Sequence, residues 1–213
     1  METVTVATPV GVFSAESVGI DVEVNGVVDD GLFREAISVK GLTTPDGLLP
    51  EWSAGLVPTE FAIDVKASRF SLAAPAAAFI AAFDLAKPAP IDATKEAELM
   101  AAFMPEGVVD VTLAPGTVKG GLYELSYEGA MTVGPAAMPV GSGKVTMTGM
   151  DAVMGALQAG PPEMTGQFVP MLGMASGMAK PGPEGQLVWE IDATTPRTFL
   201  INGTDLMVMM GGQ

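Results

Sequence analysis

The sequence predicts an α+β fold: one large, twisted, mainly antiparallel sheet of about eight to ten strands, with three or four short helices on one face. Three observations predict it. Apolar and polar residues alternate with period two along much of the chain, as strands do when one face is buried and the other wet. Parallel βαβ sheets bury both faces and read as continuous apolar runs, so the alternation favours antiparallel pairing. The 26 Gly and 17 Pro among 213 residues require frequent turns and keep helices short.

The alternation begins weakly at Thr3–Val6 and is clear in Ser17–Val24. There Val18, Ile20, Val22 and Val24 oppose Ser17, Gly19, Asp21 and Glu23. Phe33–Leu42 is a weaker copy. Glu60–Ala67 sets Phe61, Ile63, Val65 and Ala67 against Glu60, Asp64 and Lys66. Val108–Leu113 is again weak, whereas Gly121–Val133 runs long. Its Tyr123, Leu125, Tyr127, Met131 and Val133 face away from Glu124, Ser126, Glu128 and Thr132. Gly143–Gly149 and Gln186–Asp192 complete the set. Asn25-Gly26 and Asn202-Gly203 each sit between apolar runs, a strong hairpin signal. The second predicts that Thr198–Ile201 folds back on Thr204–Val208.

Helical patterns cover Leu72–Leu85, Asp92–Met104, Asp151–Leu157 and Phe168–Met178. Asp92 supplies an N-cap for the second and Pro105 its stop. The last carries Met171, Met174 and Met178 in one stripe, weakened by Gly173 and Gly177. A strand-then-helix unit recurs: FAIDVKASRF runs into SLAAPAAAFIAAF, and GKVTMTG into MDAVMGALQAG. Thr43–Pro58, Lys87–Pro90, Pro115–Lys119 and Gly160–Thr165 read as Pro/Gly-rich loops. None is long enough for an interdomain linker, so residues 1–213 read as a single sheet-rich domain.

Composition excludes much chemistry. The chain has no cysteine and no histidine. Ser-His-Asp and Cys-His nucleophiles, histidine zinc sites and thiol redox pairs are therefore ruled out. With 10 Lys+Arg against 25 Asp+Glu the net charge is −15, which repels nucleic acid and anionic lipid headgroups. No stretch reaches the roughly 18 apolar residues of a membrane span. The first cation is Arg34, and METVTVATPVGVF holds no continuous apolar core, so the N-terminus does not read as a signal peptide. Absence of cysteine fits an oxidising compartment.

No motif identifies a reaction. Gly141-Ser142-Gly143-Lys144 fails as a phosphate loop, because Met138 stands where its first glycine belongs and Val145 follows the lysine. Carboxylates pair along one strand face at Asp21/Glu23, Glu60/Asp64 and Glu124/Glu128, but those faces are uniformly polar and read as solvated. Asp29-Asp30-Gly31 lacks the spaced ligands of a calcium loop. Asn202-Gly203-Thr204 matches a glycosylation sequon that the hairpin turn already explains. Methionine is the compositional outlier: of 15, the 12 at 131, 138, 147, 150, 154, 164, 171, 174, 178, 207, 209 and 210 lie after residue 130. They read as adaptable packing or groove lining. Cu(I) binding by the stripe with Met207, Met209 and Met210 is the lesser reading. The candidate apolar groove is lined by Phe61, Ile63, Val65, Tyr123, Leu125, Tyr127, Met147, Met171, Met174, Met178 and Trp189.

Two stretches carry a family resemblance. One is LLPEWSAGLVPTEFAIDVKASRFSL, followed by an Ala-rich helix. The other is GMASGMAKPGPEGQLVWEIDATTPRTFLINGTDLM, a Gly-rich helix leading to a strand and an NG hairpin. Together they resemble a family of Gram-negative envelope proteins, domain-of-unknown-function family 2125, and more loosely the AsmA-like β-groove proteins. The resemblance covers most of Leu48–Leu206 and rests on structural motifs. It implies a periplasmic, sheet-rich protein with an apolar concave face for a lipid or other amphiphile; it carries over no catalytic residue and no cofactor. Such proteins are longer and begin with a signal or anchor, so the chain is expected to be a C-terminal portion of that architecture. Without the resemblance, a cytoplasmic location is the alternative.

The expected function is accordingly non-enzymatic: an envelope protein whose apolar sheet face is sealed by helices or partly open to a lipid-like ligand. The alternative is a structural or protein-interaction module with a closed core, acting through edge strands or loops. A Met-based Cu(I) binder ranks third and an enzyme last.

Overall fold

The alternating segments pair with one another in chain order, as their period and turn residues require. A computed structural model describes residues 3–26, 30–82, 93–135, 137–195 and 197–209. β1 (Val4–Thr8) and β2 (Gly11–Ala15) form a small antiparallel hairpin. β3 (Ser17–Asn25), β4 (Gly31–Lys40), β5 (Pro58–Phe70), β6 (Val109–Gly120), β7 (Glu124–Gly134) and β8 (Ala137–Thr148) follow as an antiparallel meander. β9 (Lys180–Pro181) and β8 both pair with β10 (Leu187–Asp192), and β11 (Leu200–Ile201) and β12 (Thr204–Asp205) close the far edge. The result is a 10-stranded sheet, as the alternation predicts.

Four helices of ten or eleven residues accompany it: α2 (Ala73–Ala82), α3 (Ala93–Phe103), α4 (Met150–Ala159) and α6 (Phe168–Met178). Single turns stand at α1 (Glu51–Ala54), α5 (Pro162–Thr165) and α7 (Leu206–Met209). The repeated strand-then-helix unit is real, since β5 leads to α2 and β8 to α4. At the second junction Gly149 adopts φ 80, and a Cβ there would collide with the Leu122 carbonyl. Only glycine turns the chain so sharply there.

Several loop expectations are corrected. Pro115–Lys119 lies inside β6, not in a loop. Leu113 pairs with Gly129 and Gly116 with Tyr127, so Ala114 and Pro115 together oppose the single residue Glu128. Such a bulge accommodates a proline because the extra residue makes no ladder hydrogen bond. Thr43–Pro58 contains α1, and Gly160–Thr165 contains α5 with its proline at the helix start. Asn25-Gly26 does not make a two-residue hairpin; Asp30 N–H donates to Gly26 O, and β4 starts only at Gly31. Asn202-Gly203 does, with φ 52 and 84, as a type I′ turn requires. Its strands are shorter than expected, because Leu206–Met209 turns helical. Asp29, Lys87–Pro90, the Asp92 cap and the Leu72–Leu85 pattern beyond Ala82 fall outside the described residues.

Strand register puts all the apolar alternation on one face. Val18, Val39, Phe61, Val118, Leu125, Met147 and Leu187 succeed one another across seven strands. Two helical caps sit on that face. Near β8 and β10, α4 supplies Met150, Val153 and Leu157 to a cluster with Met147 and Trp189, joined by Trp52 and by Val169 and Leu172 of α6. Toward the other end of the strands, Phe103 and Met104 pack with Phe70, Val109, Phe33 and Val133. The Phe70 and Phe103 rings stack at 5.5 Å.

The opposite face is polar and cross-linked. Arg34 grips Asp64 with Nε and Nη2 at 2.9 and 2.7 Å, and Asp21 with Nη1 at 2.7 Å. Those carboxylates hold its guanidinium more firmly protonated than usual, Asp64 chiefly and Asp21 next. The Asp21/Glu23, Glu60/Asp64 and Glu124/Glu128 pairs all lie on this side, where Glu124 bridges to Lys119 at 3.2 Å. Their roles are those of a charged, wet sheet surface, where single ion pairs contribute little stability.

Candidate functional site

Between the two caps runs a strip of the apolar face whose residues join neither packed cluster. Its clearest row runs Val22, Glu35, Val65, Leu113, Gly129, Gly143 and Ile191, one residue from each of seven strands in direct register. None of the seven belongs to either packed cluster. The middle of the row is bare backbone. Around the place a Cβ of Gly143 would occupy, the only atoms of described residues within 4 Å, chain neighbours aside, are the Glu128 carbonyl oxygen and the Gly129 Cα. Glycine weakens a central strand, and paired glycines mark a place where another molecule can approach the sheet closely.

One step toward the other cap, Gly116 continues the bare floor and Tyr127 covers it. The Tyr127 hydroxyl donates to Ala62 O at 2.7 Å, and its ring lies where a Gly116 side chain would stand. Burial pushes the phenol's pKa up. At the strip's β3 end Ile20, Val22 and Ile63 are exposed, Ile20 to 69%.

The eleven expected lining residues separate into three groups. Phe61, Ile63, Val65, Leu125 and Tyr127 share the apolar face and stand outside both clusters. Tyr123, Met147 and Trp189 share the face but lie beneath the α4–α6 cap, where they are core. Trp189 Nε1–H donates to Ala175 O at 2.7 Å and ties α6 to the sheet, while Tyr123 donates to Leu56 O at 3.3 Å. Met171 and Met174 are 53% and 60% exposed and stand outside the packed cluster. α6 docks through Val169 and Leu172 instead, so the methionine stripe is an outer face of the helix. Met178 is half-buried and likewise outside the cluster. The side chains of Met207 and Met209, and all of Met210, lie outside the description.

Sequence reasoning missed Glu35, Leu113, Gly129 and Gly143. A signal for the first existed: Phe33, Glu35, Ile37 and Val39 share one phase, so a carboxylate sits in an otherwise apolar alternation. The bulge hid Leu113, because it reverses the phase of β6 between Leu113 and Gly116, and Gly129 and Gly143 carry no side chain to mark a face.

Three shallow depressions of about 370, 510 and 380 Å³ share Pro115. Residues of both strand faces line them: Gly116 and Tyr127 with Thr117, Glu128 and Lys144 in the first, Leu113, Gly129 and Gly143 with Thr112 and Ser142 in the second, and Ile20, Ile37 and Ile63 with Asp21, Ser38 and Asp64 in the third. The Asn202 sequon is structurally engaged: its Nδ2 donates to both Met178 O and Val188 O at 2.8 Å. Among the described residues no group of three acidic side chains is placed to hold a metal ion, and no helix is long and apolar enough to cross a membrane. Compared with protein-family models, curated proteins and solved structures, the chain matches none.

Proposed function

We propose that the chain is a non-enzymatic cell-envelope protein that holds a lipid-like amphiphile against the uncovered strip of its apolar sheet face. The observation that carries this reading is the bare glycine floor at Gly129 and Gly143, set between two helical caps on a face that is otherwise mostly apolar. Exposed aliphatic side chains support it: Ile20, Val22 and Ile63 stand open at the β3 end of the strip, and such a patch calls for a covering molecule. The envelope location draws support from the lack of cysteine and from the resemblance of the Leu48–Leu72 and C-terminal stretches.

The test is native mass spectrometry of protein purified from its own host, with solvent extraction and analysis of whatever co-purifies. A bound amphiphile is expected, released on denaturation. Protein that is folded, ligand-free and indifferent to added lipid would overturn the reading. Fractionation of host cells tests the compartment, with recovery in the cytosol as the contrary result.

One observation favours a second reading, a protein-interaction module. All nine residues of β3 are exposed and its outer edge is unpaired among the described residues, a template for strand addition. A complex that Ile20→Lys dissolves, in protein free of lipid, would put this reading first.

A further inference from the structure

Glu35 is the one acidic or basic side chain on the apolar face of β3–β8 and β10 among the described residues. It stands between Val22 and Val65 in register and between Phe33 and Ile37 along its strand face, and it is half-buried there. Among the described residues its carboxylate has no hydrogen bond or ion pair. The neighbouring cation Arg34 points to the other face, where Asp21 and Asp64 occupy it. On a face otherwise built from aliphatic and aromatic side chains and Gly, it is the one charged group among the described residues, so it is the one that discriminates ligand heads by charge.

From Glu35 the row crosses Val65, Leu113, Gly129 and Gly143 to Ile191. Five inter-strand steps span about 24 Å, room for an extended alkyl chain laid across the strands. Glu35 lies one strand in from the β3 edge, where a head group keeps part of its hydration. The net charge of −15 attracts cations and repels anions at longer range. We infer that the strip selects amphiphiles with a cationic head, an amine or quaternary ammonium, over those headed by a carboxylate. Glu35 receives the head, and the glycine-floored row receives the tail. This rests on the amphiphile reading above and names its ligand class.

The experiment compares three probes of one chain length on the full chain, below their micellar concentrations. They are dodecyltrimethylammonium, a neutral dodecyl polyoxyethylene ether and dodecanoate, each followed by titration calorimetry. The cationic probe is expected to bind at least about tenfold tighter than the neutral one, a Coulombic gain of the size a partly desolvated pair provides. Dodecanoate is expected to bind weakest. Glu35→Gln should remove most of the cationic preference and leave neutral binding unchanged. Glu23→Gln makes the same change in net charge on the polar face and should keep the preference. Glu35→Gln should unfold cooperatively in urea with a midpoint close to the parent's, which shows that the variant is folded. If all probes bind and Glu35→Gln leaves their order unchanged, this inference falls and the amphiphile reading stands. If no probe binds folded protein, both fall.

Discussion

The hydroxyl of Tyr127 donates to the carbonyl of Ala62, 2.7 Å away, by reaching across Gly116 on the strand between them. Three strands, β5, β6 and β7, are thereby tied at the bulge that Pro115 introduces. The ring needs the space that Gly116 leaves: an added Cβ would stand 2.7 Å from two of its atoms. An aromatic laid over a cross-strand glycine restores the packing that the glycine lacks.

Tyr127→Phe keeps the ring and loses the hydrogen bond, at an expected cost of about 1 kcal/mol. Gly116→Val displaces the ring as well and should cost about 1–3 kcal/mol beyond that. Because both changes act at one contact, their effects should not add. Urea unfolding of the two single variants and the double variant measures this coupling; additive costs would show that ring and glycine are independent.

Asn202 joins the last hairpin to the body of the protein. Its backbone takes φ 52, its Nδ2 donates to Met178 O and Val188 O, and its Oδ1 accepts from Glu190 N–H. Asn202→Gly keeps the left-handed turn but removes three side-chain hydrogen bonds, with an expected loss of about 2–3 kcal/mol. Asn202→Ala should lose about 1 kcal/mol more, because alanine resists that φ. Hydrogen exchange should then rise first at the C-terminal end of α6 and in β10, both of which Asn202 touches. Equal stability of the two variants would remove backbone strain from this account.

The large sheet was legible because period two and antiparallel pairing follow from the same physics, a strand with one wet face. Val18–Val24, Phe61–Ala67 and Tyr123–Val133 each carry that phase through unbroken. β6 was half-legible, since Pro115-Gly116 looks like punctuation and only the register of two neighbouring strands shows it to be a bulge. The methionine stripe of α6 was legible as a stripe but not by its direction. In an uncharged helix both faces are apolar, and contact with Trp189 decides which one packs. Glu35 was overlooked because it blurs the pattern that identifies strands, and an interruption weakens a strand signal before it suggests a site.

Asp110 gives the fold a sensitivity to acid. Thr132 Oγ1 donates to its Oδ1 at 2.6 Å, and Arg69, held at φ 65, contributes Nη2 at 2.8 Å to the same oxygen. The Thr132 hydroxyl foremost, with Arg69, lowers the carboxyl's pKa below its ordinary value. A group with a depressed folded pKa stabilises the protein above its unfolded pKa, near 3.9 for aspartate, and the contribution is lost as pH falls through the folded value. Stability should therefore decline below about pH 4. Thr132→Val should move the Asp110 titration upward in carboxyl NMR and reduce that decline. Arg69 would also lose the partner that helps hold its left-handed backbone at the β4–β5 irregularity, so loosening on acidification is expected first where Gly31 meets Phe70. An Asp110 titration unchanged by Thr132→Val would assign the acid sensitivity to other carboxylates.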